Sequence, residues 1–190
     1  MADKMIEFCK LIGQLKHLER TGWVRHQVHK PETVSGHMYR MGMMAWCLAD
    51  SHAQLDISKC VKMCLVHDMG EAIVGDITPY CNVSAEDKHK REHEAIRKMA
   101  SMVSESVGRE FTDLWDEFEA NETPEAKLVH QLDKFDMIMQ AAEYEERDQK
   151  SGALQEFFDS TNGLFSDPQI LNWIKALDES RCKSASSNKN

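Results

Sequence analysis

Apolar residues recur at intervals of three and four along most of the chain. Met5, Phe8, Leu11, Ile12, Leu15 and Leu18 form the first series, a spacing that lines up side chains on one face of a helix. A polar, turn-rich segment follows from Thr21 to Glu32. A second helix is predicted to start near Thr33 to Ser35 and to carry Met38, Met41, Ala45 and Leu48. Ser58 is suited to cap a third, in which Val61, Cys64 and Leu65 lead into His67-Asp68.

The segment from Gly70 to Asn82 is predicted to be irregular, with Gly75, Pro79 and Asn82 as breakers. Ser84-Ala85-Glu86-Asp87 reads as a capping box that opens a long charged helix to about Ser106. Phe111, Leu114, Trp115 and Phe118 fit a shorter helix. Thr123-Pro124 is a cap followed by proline at the first helical position, and that helix carries Leu128, Leu132, Phe135 and Met139 toward Gln149. Asp167-Pro168 repeats the device before Ile170, Leu171, Trp173, Ile174 and Leu177. No alternating strand pattern and no internal repeat is visible. The expected fold is all-α, a single domain of about six or seven helices over residues 1–180, with a disordered Ser, Lys and Asn tail over 181–190.

Composition narrows the classes of function. A chain of 190 residues with 42% hydrophobic content suits one domain with a full core. Its net charge of -9 disfavours a broad nucleic-acid surface, which needs many Lys and Arg on phosphates; a small anionic substrate would need a local basic pocket. No run approaches the roughly 20 apolar residues of a membrane span, and Met1-Ala2-Asp3-Lys4 is not followed by a signal-peptide core. Cys9, Cys47, Cys60, Cys64, Cys81 and Cys182 show no C-x-x-C spacing. They read as reduced core residues of a protein from the cytoplasm or nucleus.

The chemistry concentrates at His67-Asp68, with Glu71 one turn later. A run of Met63, Cys64, Leu65 and Val66 does not ordinarily end in an imidazole and two carboxylates, because such groups leave water at a cost unless something pairs with them. A divalent metal ion is the expected partner. His37 at a helix start, and Asp133 beside Leu132, are further polar groups on apolar faces. Asp136, one turn after Asp133, is an alternative to it. Other polar groups read blandly. His89 and His93 sit among Lys88, Lys90, Arg91, Glu92 and Glu94 and fit a solvated helix face. His130 fits a packing role. Met41, Met43 and Met44 fit core filling, and Glu143, Glu145, Glu146 and Arg147 fit a surface or subunit contact.

The order H, HD, D resembles that of the HD-domain metal-dependent phosphohydrolases. Thr21-Gly22-Trp23-Val24 and Lys30-Pro31-Glu32-Thr33-Val34-Ser35-Gly36-His37 look like the segment around the first His in the 5'-deoxynucleotidase branch. Leu65-Val66-His67-Asp68-Met69-Gly70-Glu71 and Val74-Gly75-Asp76-Ile77 look like its second block. Gln131-Leu132-Asp133-Lys134 and Ala141-Ala142-Glu143-Tyr144-Glu145 look like its third. The resemblance spans roughly residues 4 to 180 and implies an HD-domain helical bundle.

It also implies roles. His37, His67, Asp68 and Asp133 would hold a divalent cation, Mn²⁺, Co²⁺ or Mg²⁺, with Fe²⁺ also compatible. Glu71 would activate water or hold a second ion, and Asp68 could share in orienting that water. Asp76 and the backbone of Ile77 would make a further metal or sugar-hydroxyl contact. Trp23 would pack near the deoxyribose, and the phosphate-binding residue would be one of Arg20, Arg25, His26 and Lys30. Gly36 stands where the family often has an acid. The implied reaction is hydrolysis of a deoxyribonucleoside 5'-monophosphate by a homodimeric enzyme. Cyclic-nucleotide phosphodiesterase, deoxynucleoside triphosphohydrolase and a non-enzymatic metal-bound scaffold are the alternatives.

Overall fold

The computed structural model describes residues 2–187, with side chains to 183. It is helical. The elements are α1 (Ala2–Ile12), a 3-10 turn (Gly13–Lys16), α2 (Thr21–Arg25), α3 (Val34–Cys47), α4 (Ile57–Val66) and α5 (Glu71–Val74). They continue as α6 (Ala85–Ala100), α7 (Glu105–Ala120), α8 (Pro124–Arg147), α9 (Gln155–Asp159) and α10 (Pro168–Ser187). Among the described residues there is no strand, and an isolated bridge joins Glu19 to Thr33. The helices exceed the expected six or seven because α2, α5 and α9 are short. Two of these lie in segments that carry no helical period, Thr21–Glu32 and Gly70–Asn82.

The sequence reading of one domain over 1–180 meets a division into two compact units, the first ending at Lys127 and the second beginning at Leu128. Of the tail expected to be disordered, residues 181–187 continue α10; 188–190 lie outside the described residues.

Capping sets the helix starts of the first unit. The Thr33 side chain accepts from Gly36 N, and Ser84 Oγ accepts from Asp87 N at 3.1 Å. Asp56, rather than the expected Ser58, caps α4: its Oδ1 accepts from Lys59 N at 2.9 Å. Thr123 Oγ1 accepts from Ala126 N at 3.2 Å at the head of α8. The expected helix to Ser106 stops instead at Ala100, and α7 begins at Glu105. The two helices approach so closely there that a Cβ on Gly108 would lie 2.4 Å from the Ala100 carbonyl oxygen.

The core of the first unit draws on α3 (Val34, Met38, Met41, Ala45), α4 (Cys60, Met63, Cys64), α6 (Ala95, Ile96, Met99) and α7 (Leu114, Trp115, Phe118), all buried. Each large apolar side chain taken out of water contributes about 1.5–3 kcal/mol. Burial pushes the Cys60 thiol up to about 12. The core reading of the cysteines holds for Cys60 and Cys64, whereas Cys9, Cys47, Cys81 and Cys182 are exposed. Met43 is likewise exposed.

In the second unit the Phe135 and Trp173 rings meet at 5.5 Å. Gln131 Oε1 accepts from Ser166 N at 2.6 Å and Asp167 N at 2.8 Å. Asp167 Oδ1 in turn caps α10 through Gln169 N and Ile170 N. Glu145 is buried and salt-bridged to Arg181 at 2.8 Å, a correction to its reading as a surface group. No helix of the described residues is long and apolar enough to cross a membrane.

Candidate metal centre

Two helix ends in the first unit deliver the site. The Thr33 cap starts α3 so that His37 falls in its first turns, on the same face as Val34, Met38 and Met41, and fully buried. His67 is the C-cap residue of α4; its backbone N–H still bonds to the Met63 carbonyl at 2.9 Å. Its Nδ1 lies 3.0 Å from the Cys64 carbonyl oxygen. A carbonyl only accepts, so Nδ1 carries the proton and Nε2 presents a lone pair. That Nε2 is 3.2 Å from Asp68 Oδ2, and His37 Nε2 is 3.7 Å from the same oxygen. The two imidazoles meet edge-on with centroids 5.5 Å apart. Arg20 Nη1 donates to that same Asp68 oxygen at 3.1 Å.

The local field separates the two carboxylates. Burial alone would raise Asp68, but the His67 ring in its protonated form, Arg20 and a protonated His37 outweigh it and hold the carboxyl below its ordinary range. Glu71, at the start of α5, is raised well above its ordinary value, first by burial and then by the charges of Asp68 and Asp76. Arg20 and Lys88 oppose that rise. The two carboxyls are pushed in opposite directions, a separation of the kind that acid–base chemistry uses.

Two buried atoms of this cluster, His67 Nε2 and Glu71 Oε2, make no hydrogen bond. Leaving such an atom unsatisfied costs about 1–3 kcal/mol. A lone pair fixed by a backbone carbonyl, next to an ionised carboxylate, is the donor chemistry of a divalent cation. The residues fit such an ion.

Asp76 and Trp23 have other partners. Asp76 Oδ2 accepts from Thr21 N at 2.6 Å, and Thr21 Oγ1 donates to the Asp76 carbonyl at 2.8 Å, so this carboxylate satisfies the start of α2. Ile77 is buried. Trp23 is 1% exposed and its indole N–H donates to Glu32 Oε1 at 3.0 Å. Of the four basic candidates, Arg20 is bonded to Asp68. Arg25 lies 3.5 Å over the Tyr80 ring, His26 ends α2, and Lys30 is exposed in a turn at φ 48°.

The profile of the HD domain family matches residues 12–169, a span that holds every residue of this cluster. The chain belongs to the HD-domain family. Among its relatives, 5'-deoxynucleotidase HDDC2 of Bos taurus is 48% identical over 180 residues, 95% of this chain and 87% of that one. The Danio rerio protein of the same name is 48% identical over 181 residues, 95% and 90% of the two chains. A solved structure, a conserved hypothetical protein from Pyrococcus furiosus, superimposes with a TM-score of 0.73 at 32% identity, covering 93% of this chain and 98% of that one. HD domains imply a divalent metal, and the donors at His37, His67 and Asp68 are of the kind that binds one.

The remaining HD-domain candidates lie on α8, in the second unit. Asp133 is 9% exposed, with Oδ2 at 2.9 Å from Lys134 Nζ. Asp136 is fully buried. His89 and His93 do more than face solvent, since their rings pack on Trp115 at 5.0 and 5.5 Å. Lys88 and Glu92 escape a reading of the sequence because they sit inside a charge run. In the fold Glu92 is buried, Lys88 is partly so, and burial pushes Glu92 up to about 7.

Proposed function

We infer that this chain is a metal-dependent 5'-deoxynucleotidase, which hydrolyses deoxyribonucleoside 5'-monophosphates to the deoxyribonucleoside and phosphate. The observation that carries the reading is the convergence of His37, His67 and Arg20 on one oxygen of Asp68. It is joined by relatives named 5'-deoxynucleotidase at 48% identity over 95% of the chain.

His37, His67 and Asp68 would hold one divalent cation. Asp133 is the fourth ligand in this reading, on the strength of the Gln131-Leu132-Asp133-Lys134 block rather than Asp136. Mixed nitrogen and oxygen donors suit Mn²⁺, Co²⁺ or Mg²⁺, and Fe²⁺ as well. When bound, the ion supplies Lewis-acid activation of water and of the phosphate.

The chain's own residues do the rest. Glu71, buried and with its carboxyl raised, takes a proton from the attacking water as its oxygen bonds to phosphorus. The P–O5' bond then breaks, and that proton passes to the departing 5'-oxygen. Arg20, held at Asp68, offsets phosphate charge in an otherwise acidic chain. Asp76 and the Ile77 backbone, anchored against α2, line the sugar side. Trp23, a core residue with its N–H on Glu32, shapes that side from behind.

A homodimer remains part of the reading. Tyr39, Met43 and Trp46 leave an exposed apolar stripe on α3, and a cytoplasmic setting agrees with the absence of disulfides among the described residues. Phosphate release from dAMP, AMP, dATP and cAMP tests the substrate. Turnover of dAMP with little from AMP supports the reading. Turnover of only dATP or cAMP transfers the site to a triphosphohydrolase or phosphodiesterase, and silence on all four favours a scaffold.

A further inference from the structure

Gly70, immediately before Glu71, packs against α6. A Cβ there would lie 3.2 Å from the Glu92 carbonyl oxygen and 3.5 Å from Ala95 Cβ. That approach fixes the Glu92 turn of α6 over the start of α5. Lys88 is one helical turn earlier, on the same face as Glu92. Its Nζ is 3.6 Å from Glu92 Oε1, longer than the 2.7–3.2 Å of a hydrogen bond. The ammonium also feels three carboxylates of the site, those of Asp68, Glu71 and Asp76. Lys88 is partly buried, on the turn of α6 that precedes the one packed against Gly70.

We propose that Lys88 binds the substrate's phosphate, its ammonium donating to a non-bridging oxygen from the α6 side of the site and adding to the contribution of Arg20. A phosphate dianion brings about two negative charges into a centre already lined by Asp68, Glu71 and Asp76. Arg20 and a divalent ion leave part of that repulsion standing, and Lys88 is the further cation placed to offset it. The proposal rests on reading the site as a phosphomonoester hydrolase, and its test is chosen to separate the two.

The test is calorimetric titration of the full, Mn²⁺-loaded protein with inorganic phosphate, alongside KM for dAMP and inhibition by deoxyadenosine, which lacks the phosphate. Lys88→Met is expected to weaken phosphate binding and raise KM by about tenfold to a hundredfold, the scale of one lost hydrogen bond to a charged group. Deoxyadenosine inhibition and Mn²⁺ affinity should stay within twofold, and Lys88→Arg should recover part of the loss. Because Lys88→Met strands the buried Glu92, Lys88→Met with Glu92→Gln is the second variant. If Lys88 serves only Glu92, this pair restores wild-type phosphate affinity, and the proposal is overturned. Continued weak binding in the pair supports it. Inert wild-type protein that binds phosphate through Lys88 would contradict the hydrolase reading and leave the phosphate contact established.

Discussion

Thr21 and Asp76, 55 residues apart in the chain, are joined twice: the Thr21 N–H donates to the Asp76 carboxylate and the Thr21 hydroxyl to the Asp76 carbonyl. The start of α2 is therefore capped by the loop that follows α5, since Arg20, the N-cap residue itself, offers no side-chain cap.

Removing this cap should be measurable. Asp76→Ala is expected to cost about 0.5–2 kcal/mol, the range for a lost N-cap, in urea unfolding of the whole chain. Asp76→Asn keeps an accepting oxygen and should retain most of the stability. Equal losses in the two variants would show that the carboxylate's charge, not its capping geometry, is what matters.

The helix caps and the His-Asp pair were legible in the sequence for a physical reason: both are local. Thr33, Ser84, Thr123 and Asp167 each act on backbone groups two or three residues ahead, so spacing reveals them. Asp56 took the cap expected of Ser58 because Ser and Asp are both good N-caps, and sequence alone does not say which residue leaves the helix. What stayed hidden depends on distant partners. Asp76 as a cap, Trp23 bonded to Glu32, and Glu145 paired with Arg181 all require chain segments that no local window contains. The short helices α2 and α5 lack the length for a period to show.

Two glycines separate helix propensity from contact. Gly36→Ala meets only Thr33 Oγ1 at an ordinary 3.6 Å and is expected to stabilise by up to about 1 kcal/mol through the propensity gain. Gly108→Ala has the same gain but drives a Cβ to within 2.4 Å of a backbone oxygen. A net loss of about 1–3 kcal/mol is expected. Denaturant midpoints that move the same way in both would refute the contact argument.

Acid should unlock the Glu145–Arg181 pair. Burial alone would raise Glu145, but the Arg181 guanidinium and the Leu154 N–H outweigh it and hold its carboxyl below the ordinary 4.5. A depressed carboxyl contributes stability that is fully present above the unfolded value and is lost as pH falls through the lower folded one. Glu145→Gln should therefore flatten the fall in stability below pH 4.5. At neutral pH Arg181→Ala leaves a buried carboxylate short of a partner and should cost roughly 1–3 kcal/mol.

A bound ion should stabilise the fold by mass action. At a hundredfold excess over its dissociation constant it contributes about 2.7 kcal/mol, which for a chain of this size is a rise in Tm of about 5–10 °C. Chelator should reverse the rise, and His67→Ala should abolish it. An unchanged Tm in the wild type on adding Mn²⁺, Co²⁺ or Mg²⁺ would argue against the metal centre.

The most direct measurement is the rate of phosphate release from dAMP by chelator-stripped protein, before and after Mn²⁺ is restored, with Asp68→Ala in parallel. Release that appears only with the ion and is absent in the variant is expected if His37, His67 and Asp68 hold the catalytic metal. Equal release with and without the ion, or undiminished release from Asp68→Ala, would contradict it.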